Sequence, residues 1–241
     1  MKRVNVLCFP YAGGSSLIYK KWKQYFDDNI DIIPIELAGR GKRISEKFYN
    51  GMDGAIEDIY NIVSPIIEEG DYAFFGHSMG STIAFELCHR IINENQRQPI
   101  HLFVSGRYPP DISKIKRHLS RLPDNEFQQE ILKLGGTNKE VFENKELCNI
   151  FIPILKADYR IIEEYKYIDR NRKLNYGVTV FNGRSDEDVT YSDMLEWDKH
   201  TSVGSTVYEF DGGHFFINDK AREIADIMKK TLLNCEVQKD T

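Results

Sequence analysis

Tyr72-Ala73-Phe74-Phe75-Gly76-His77-Ser78-Met79-Gly80 decides the fold. An apolar run leads into a serine between two glycines, and residues 79–93 continue with helical spacing. Gly76-His77-Ser78-Met79-Gly80 matches G-x-S-x-G, which is a weak signal as a bare string. Between a strand and a helix it becomes specific, because strand–turn–helix is the setting of a nucleophile elbow. So tight a turn leaves no room for side chains on both flanks, hence the glycines. Ser78 stands at the tip, and the helix N-terminus behind it favours developing negative charge. The competing reading is a glycine-rich turn in which Ser78 only caps the helix.

Outward from the elbow, short apolar runs alternate with amphipathic stretches. Strands are expected over 4–9, 30–36, 72–75, 101–105, 178–182 and 206–210. Helices are expected over 16–26, 53–67, 79–93 and 221–233, the last capped by Asn218 or Asp219. That alternation gives an α/β fold with a mostly parallel central sheet flanked by helices. Residues 111–172 break the rhythm: they hold no convincing strand and read as helices over 124–134, 139–150 and 154–167. We read the chain as one domain, 1–241, with this segment inserted as a helical lid over the carboxyl ends of the strands, where such sheets bind ligands.

A serine hydroxyl needs a base. His214, in Asp211-Gly212-Gly213-His214-Phe215 after the last strand, is the choice. His77 neighbours Ser78 but should face away from its tip; His89, His101, His118 and His200 have no such placement. The acid should follow a strand between the two, and Asp186 in Gly183-Arg184-Ser185-Asp186-Glu187-Asp188 does so. Asp188 and Asp111 are the alternatives. The order Ser78, Asp186, His214 is that of the α/β-hydrolases, in which the carboxylate fixes the imidazole tautomer. The oxyanion needs two backbone donors. Met79 N–H is one; Ala12 N–H, in Phe9-Pro10-Tyr11-Ala12-Gly13-Gly14-Ser15, is the other, with Tyr11 as runner-up.

Composition narrows the classes. The 241 residues carry 32 basic and 37 acidic side chains, a net charge of −5, so there is no nucleic-acid footprint. No G-K-[ST] follows the first glycine loop and no G-x-G-x-x-G occurs, which speaks against nucleotide cofactors. Histidines and carboxylates lack metal-ligand spacing, so neither metal nor cofactor is expected. Cys8, Cys88, Cys148 and Cys235 are scattered, which fits a reducing compartment and a cytoplasmic location. The apolar run behind Met1-Lys2-Arg3 is too short for a signal peptide, and no run approaches a membrane span. Nothing calls for an obligate partner chain, so a monomer is expected.

With these residues in place, the chain resembles the type II thioesterases of nonribosomal peptide and polyketide assembly lines over about residues 4 to 233. Glu36-Leu37-Ala38-Gly39-Arg40-Gly41-Lys42-Arg43 is similar to the family's E-L-P-G-R-G-x-R. Leu122-Pro123-Asp124, Leu134-Gly135-Gly136, Ala157-Asp158-Tyr159, Phe181-Asn182-Gly183 and Phe210–Phe215 match further landmarks. Ala38, Thr137-Asn138 and Lys156 depart from it, where proline, proline and arginine are usual. The resemblance implies hydrolysis of acyl thioesters on the phosphopantetheine arm of carrier proteins, which clears misprimed or stalled groups. Lys114, Lys116, Arg117 and Arg121 form either a carrier-docking patch or a solvated lid face. A small-molecule esterase or acyltransferase would use the same triad. A non-catalytic binding scaffold would be expected to lack one of its members.

Overall fold

The strands are β1 (Val4–Phe9), β2 (Ile30–Pro34), β3 (Asp71–His77), β4 (His101–Ser105), β5 (Val178–Gly183) and β6 (Ser205–Phe210). In this computed structural model, which describes residues 3–135 and 139–237, they form one parallel sheet in the order β2-β1-β3-β4-β5-β6. The order reverses at β1, so connections leave the sheet on both faces. Successive side chains alternate faces. Leu7, Phe9, Phe74, Leu102 and Val104 pack with Ile59, Val63, Ile83 and Leu87 of α1 (Met52–Glu68) and α2 (Met79–Asn93). Val6, Cys8, Ala73, Phe75 and Phe103 face Tyr19, Trp22 and the Ile224–Met228–Leu232 side of α7 (Ala221–Val237), the helix that follows the short α6 (Tyr191–Leu195). Burial on both faces explains why these strands read as continuous apolar runs.

The expected helix over 16–26 is a 3₁₀ coil, Ser16–Tyr25. Its buried Tyr19 and Trp22 are three residues apart, the spacing that aligns on a three-residue turn. Asn218 lies in a 3₁₀ turn, Phe216–Asn218, and α7 starts only at Ala221, so neither Asn218 nor Asp219 immediately precedes it.

The segment between β4 and β5 is helical: α3 (Asp124–Lys133), α4 (Lys139–Glu143) and α5 (Lys145–Glu164). The expected helices over 139–150 and 154–167 are divided elsewhere. Asn144 breaks the chain, its side chain accepting from Glu146 and Leu147 N–H, and α5 runs straight through Pro153. A proline inside a helix removes one hydrogen bond; here Ile152, Ile154 and Leu155 on either side of it are buried and hold the helix down. Phe127, Ile131, Ile152 and Leu155 give this segment a small core of its own. Gly136, Thr137 and Asn138 of the predicted landmarks lie outside the described residues.

The other two departures keep a bond. Lys156 Nζ reaches Leu122 O at 2.7 Å and Asp124 Oδ1 at 2.5 Å. Ala38 N–H, which proline would lack, donates to the Tyr49 hydroxyl at 3.0 Å.

Candidate active site

Ser78 has φ +54° and ψ −117°, a strained conformation for a residue with a side chain. A Cβ on Gly76 would fall 2.1 Å from Gly80 O, and one on Gly80 would fall 2.1 Å from Phe9 O. Both glycines are therefore steric requirements of the elbow. Ser78 N–H donates to Ser105 O at 2.7 Å and Ser105 N–H donates to Ser81 Oγ at 3.0 Å, which ties the elbow to β4, while Ser81 Oγ donates to Gly76 O of β3 at 2.8 Å. Ser81 had no mark in the sequence; its role comes from this close strand–helix approach.

His214 and Asp186 meet because their loops pack on Gly183, where a Cβ would fall 2.4 Å from both Gly212 O and Gly213 O. Ser185 N–H donates to Gly212 O at 2.9 Å and fixes the two loops together. Asp186 Oδ2 lies 2.7 Å from His214 Nδ1, and its other oxygen accepts from Asp188 N–H at 2.9 Å and Val189 N–H at 3.3 Å. The carboxylate is 1% exposed and the imidazole 19%. Such an arrangement leaves Nε2 as the free ring nitrogen. Ser78 and His214 line one cavity. Among the described residues the Ser78 hydroxyl makes no hydrogen bond, so the contact with the imidazole is open; such contacts tighten when substrate arrives.

The alternatives are placed elsewhere. Asp111 pairs with His200, Oδ1 to Nε2 at 2.8 Å. Asp188 offers its backbone to Asp186, and its side chain lies at the cavity. His77 is buried with Nδ1 2.9 Å from Ser105 Oγ, and burial together with the nearby His214 holds its pKa well below the usual histidine value. It is a neutral ring packed against the His214 ring, the two centroids 5.1 Å apart.

The loop after β1 supplies backbone donors. Gly13 N–H is taken by Asp158 Oδ2 at 2.7 Å and Gly14 N–H by Tyr11 O at 2.9 Å. Ala12 N–H has no acceptor among the described residues, and Met79, first in α2, has no carbonyl one turn back. Both residues line the cavity with Ser78. Arg40 holds Asp158 through two bonds, 2.5 and 2.6 Å, and also donates to Gly14 O at 3.1 Å. This buried clamp joins the segment after β2, the β1 loop and lid helix α5. Both residues belonged to quoted strings, but their 118-residue separation hid the contact.

The cavity is about 280 Å³ and is walled by Arg107, Tyr108, Tyr159 and Phe215 besides the residues above. A second, about 250 Å³, lies under the lid against Gly13, Ile131, Phe151 and Leu155. Tyr11, Ala12, Leu134, Tyr159 and Phe215 line both. Of the basic cluster, Lys114 pairs with Asp193, Arg117 with Glu126 at 3.5 Å and Arg121 with Glu164 at 3.3 Å. Lys116 is exposed at the cavity rim and makes no ion pair among the described residues. Among the described residues no cluster of His, Cys, Asp and Glu could hold a metal, and no helix is long and apolar enough to cross a membrane.

Comparison with known proteins agrees with this geometry. The thioesterase domain model matches residues 4–232. The gramicidin S biosynthesis protein GrsT of Aneurinibacillus migulanus is 34% identical, over 95% of this chain and 89% of its own. The crystal structure of ClbQ, from the colibactin NRPS/PKS pathway, superposes with a TM-score of 0.94 at 38% identity and covers 98% of this chain and 99% of its own. The type II thioesterase BorB, from the borrelidin biosynthetic cluster, gives 0.86 at 29% identity over 95% and 92%. Sheet, elbow and lid all fall within these matches, and the chain belongs to the thioesterase domain family, on the α/β-hydrolase fold.

Proposed function

We propose that the protein hydrolyses acyl thioesters on the phosphopantetheine arm of carrier proteins, clearing misprimed or stalled acyl groups in nonribosomal peptide or polyketide synthesis. One observation carries the reading: a buried Asp186 carboxylate lies 2.7 Å from Nδ1 of His214, and His214 lines a lidded cavity together with Ser78. ClbQ comes from an NRPS/PKS pathway, GrsT from gramicidin S biosynthesis, and BorB is a type II thioesterase of the borrelidin cluster; these likenesses support the substrate class.

In this reading Ser78 Oγ attacks the thioester carbonyl while His214 Nε2 takes its proton. Asp186 stabilises the imidazolium that forms. The oxyanion accepts from Met79 and Ala12 N–H. The C–S bond breaks and His214 returns the proton to the departing thiol. Water then attacks the acyl-serine, with His214 again as base, and releases a free acid and the Ser78 hydroxyl. The substrate brings its own pantetheine arm, so no cofactor of the protein's own is required. Lys116 is the member of the basic cluster best placed to meet an acidic carrier, being exposed at the rim and unpaired among the described residues.

The test compares kcat/KM on an acetyl-phosphopantetheinyl carrier protein, acetyl-CoA and an aryl acetate. The reading expects the carrier to be preferred. A preference for the aryl ester over the carrier would favour a small-molecule esterase.

A further inference from the structure

Arg107, in the cavity that holds Ser78, is an ion without a partner among the described residues. It follows Ser105 and Gly106 at the carboxyl end of β4, where a Cβ on Gly106 would lie 3.4 Å from His214 Cε1. Its backbone is fixed, since its carbonyl accepts from the indole of buried Trp197 at 2.9 Å. Its guanidinium carbon sits 4.3 Å from the centre of the Tyr108 ring. The side chain is half-buried, Nε is buried with no hydrogen-bond partner, and no ion pair forms among the described residues.

The neighbouring charges do not meet that need. The Glu163 carboxylate is already engaged by Leu119 N–H at 2.6 Å and Ser120 Oγ at 2.5 Å, with His118 Nδ1 3.6 Å away. Lys114, over the same Tyr108 ring, is paired with Asp193. Asp188 is near enough to act on Arg107 through space, but it is exposed and does not pair with it. A guanidinium stays charged at any ordinary pH, and one partly removed from water without a counter-ion is unfavourable. Its planar fork matches a carboxylate through two parallel bonds. Arg107 lines the same cavity as Ser78 and His214, so an acyl group carried on Ser78 enters the space that the guanidinium borders.

We propose that Arg107 binds a carboxylate on the acyl group, so that the enzyme removes dicarboxylic half-thioesters, of the malonyl or succinyl kind, in preference to neutral acyl groups of equal length. The proposal builds on the thioesterase reading above and adds its substrate class. A carboxylate could also come from the acid that hydrolysis frees, and the test separates the two.

The experiment loads one carrier protein with succinyl or butyryl phosphopantetheine and measures kcat/KM for wild type, Arg107→Gln, Arg107→Lys and Asp188→Asn. Wild type should favour succinyl. Arg107→Gln should lower the succinyl-to-butyryl ratio about tenfold or more, the scale of one lost charge-assisted contact. Arg107→Lys should keep part of the ratio, and Asp188→Asn should raise it; these two variants also serve if the glutamine variant fails to fold. A ratio that is the same in wild type and Arg107→Gln, with both substrates turned over, overturns the proposal and leaves the thioesterase reading standing. Weaker inhibition by free butyrate in Arg107→Gln, with the ratio unmoved, assigns the residue to the product and overturns it too. If wild type releases neither group, the thioesterase reading itself fails and takes the proposal with it.

Discussion

Replacing Asp158 with alanine should cost both stability and rate, for separable reasons. The carboxylate receives two bonds from Arg40, at 2.5 and 2.6 Å, and one from Gly13 N–H at 2.7 Å. The side chains of the pair are 3% and 1% exposed. Removing one partner of a buried pair strands the other charge, at about 3–5 kcal/mol. For a domain of this size that lowers Tm by roughly 6–20 °C. The rate effect follows from position. Gly13 adjoins Ala12, and without its anchor the β1 loop no longer holds Ala12 N–H against the developing oxyanion. Loss of one such donor lowers kcat about 10²–10³-fold. The double variant Arg40→Met/Asp158→Leu separates the two effects. Apolar replacement of both charges restores much of the stability. It gives Gly13 N–H no acceptor, so kcat stays low. Thermal unfolding and carrier-thioester turnover are the assays. A Tm and a kcat for Asp158→Ala close to wild type would refute the reasoning. A double variant that recovers full kcat would show that the clamp serves stability alone.

Asp186→Asn should keep the Asp188 and Val189 bonds through its amide oxygen and present an N–H to His214 Nδ1, forcing the wrong tautomer; kcat should fall about 10⁴-fold with the fold intact by circular dichroism. Gly80→Ala places a methyl 2.1 Å from Phe9 O, so it should abolish activity and yield little soluble protein. Burial lowers the pKa of His89 and of His101 from the usual 6.5 to about 4. The unfolded chain therefore binds more protons between those values, and stability is lost as pH falls from 6.5 towards 4, by about 3 kcal/mol per histidine in full. Tm measured across that window should drop, and His101→Gln, which can retain a bond to Thr179, should flatten part of the drop; an unchanged slope would contradict the assignment.

What was legible in the sequence was local. The elbow is a contiguous string: Gly76 is fixed by a clash with Gly80 on the next turn, although the clash that fixes Gly80 is with Phe9 of the neighbouring strand. The inner strands β1, β3 and β4 are apolar runs because both of their faces are covered. Asp186 and His214 each sit in a loop directly after a strand, so the carboxyl-end rule picks both loops, and the structure brings the two side chains within 2.7 Å. The rest depended on contacts distant in the chain. Nothing in spacing pairs Arg40 with Asp158. Pro153 looks like a helix break until the burial of its neighbours is known. Ser16–Tyr25 carries apolar residues at intervals of three, which a search for helical periodicity accepts as α. Arg107 is a lone arginine after a strand, and only its place in the cavity, without a counter-ion, sets it apart from other surface arginines.

The most direct test of the central claim is the intact mass of an acetyl-phosphopantetheinyl carrier protein after incubation with wild type and with Ser78→Ala. The acetyl group should be lost with wild type and retained with the variant. Clearance of the carrier by Ser78→Ala at the wild-type rate would contradict the claim, because the nucleophile would then lie elsewhere.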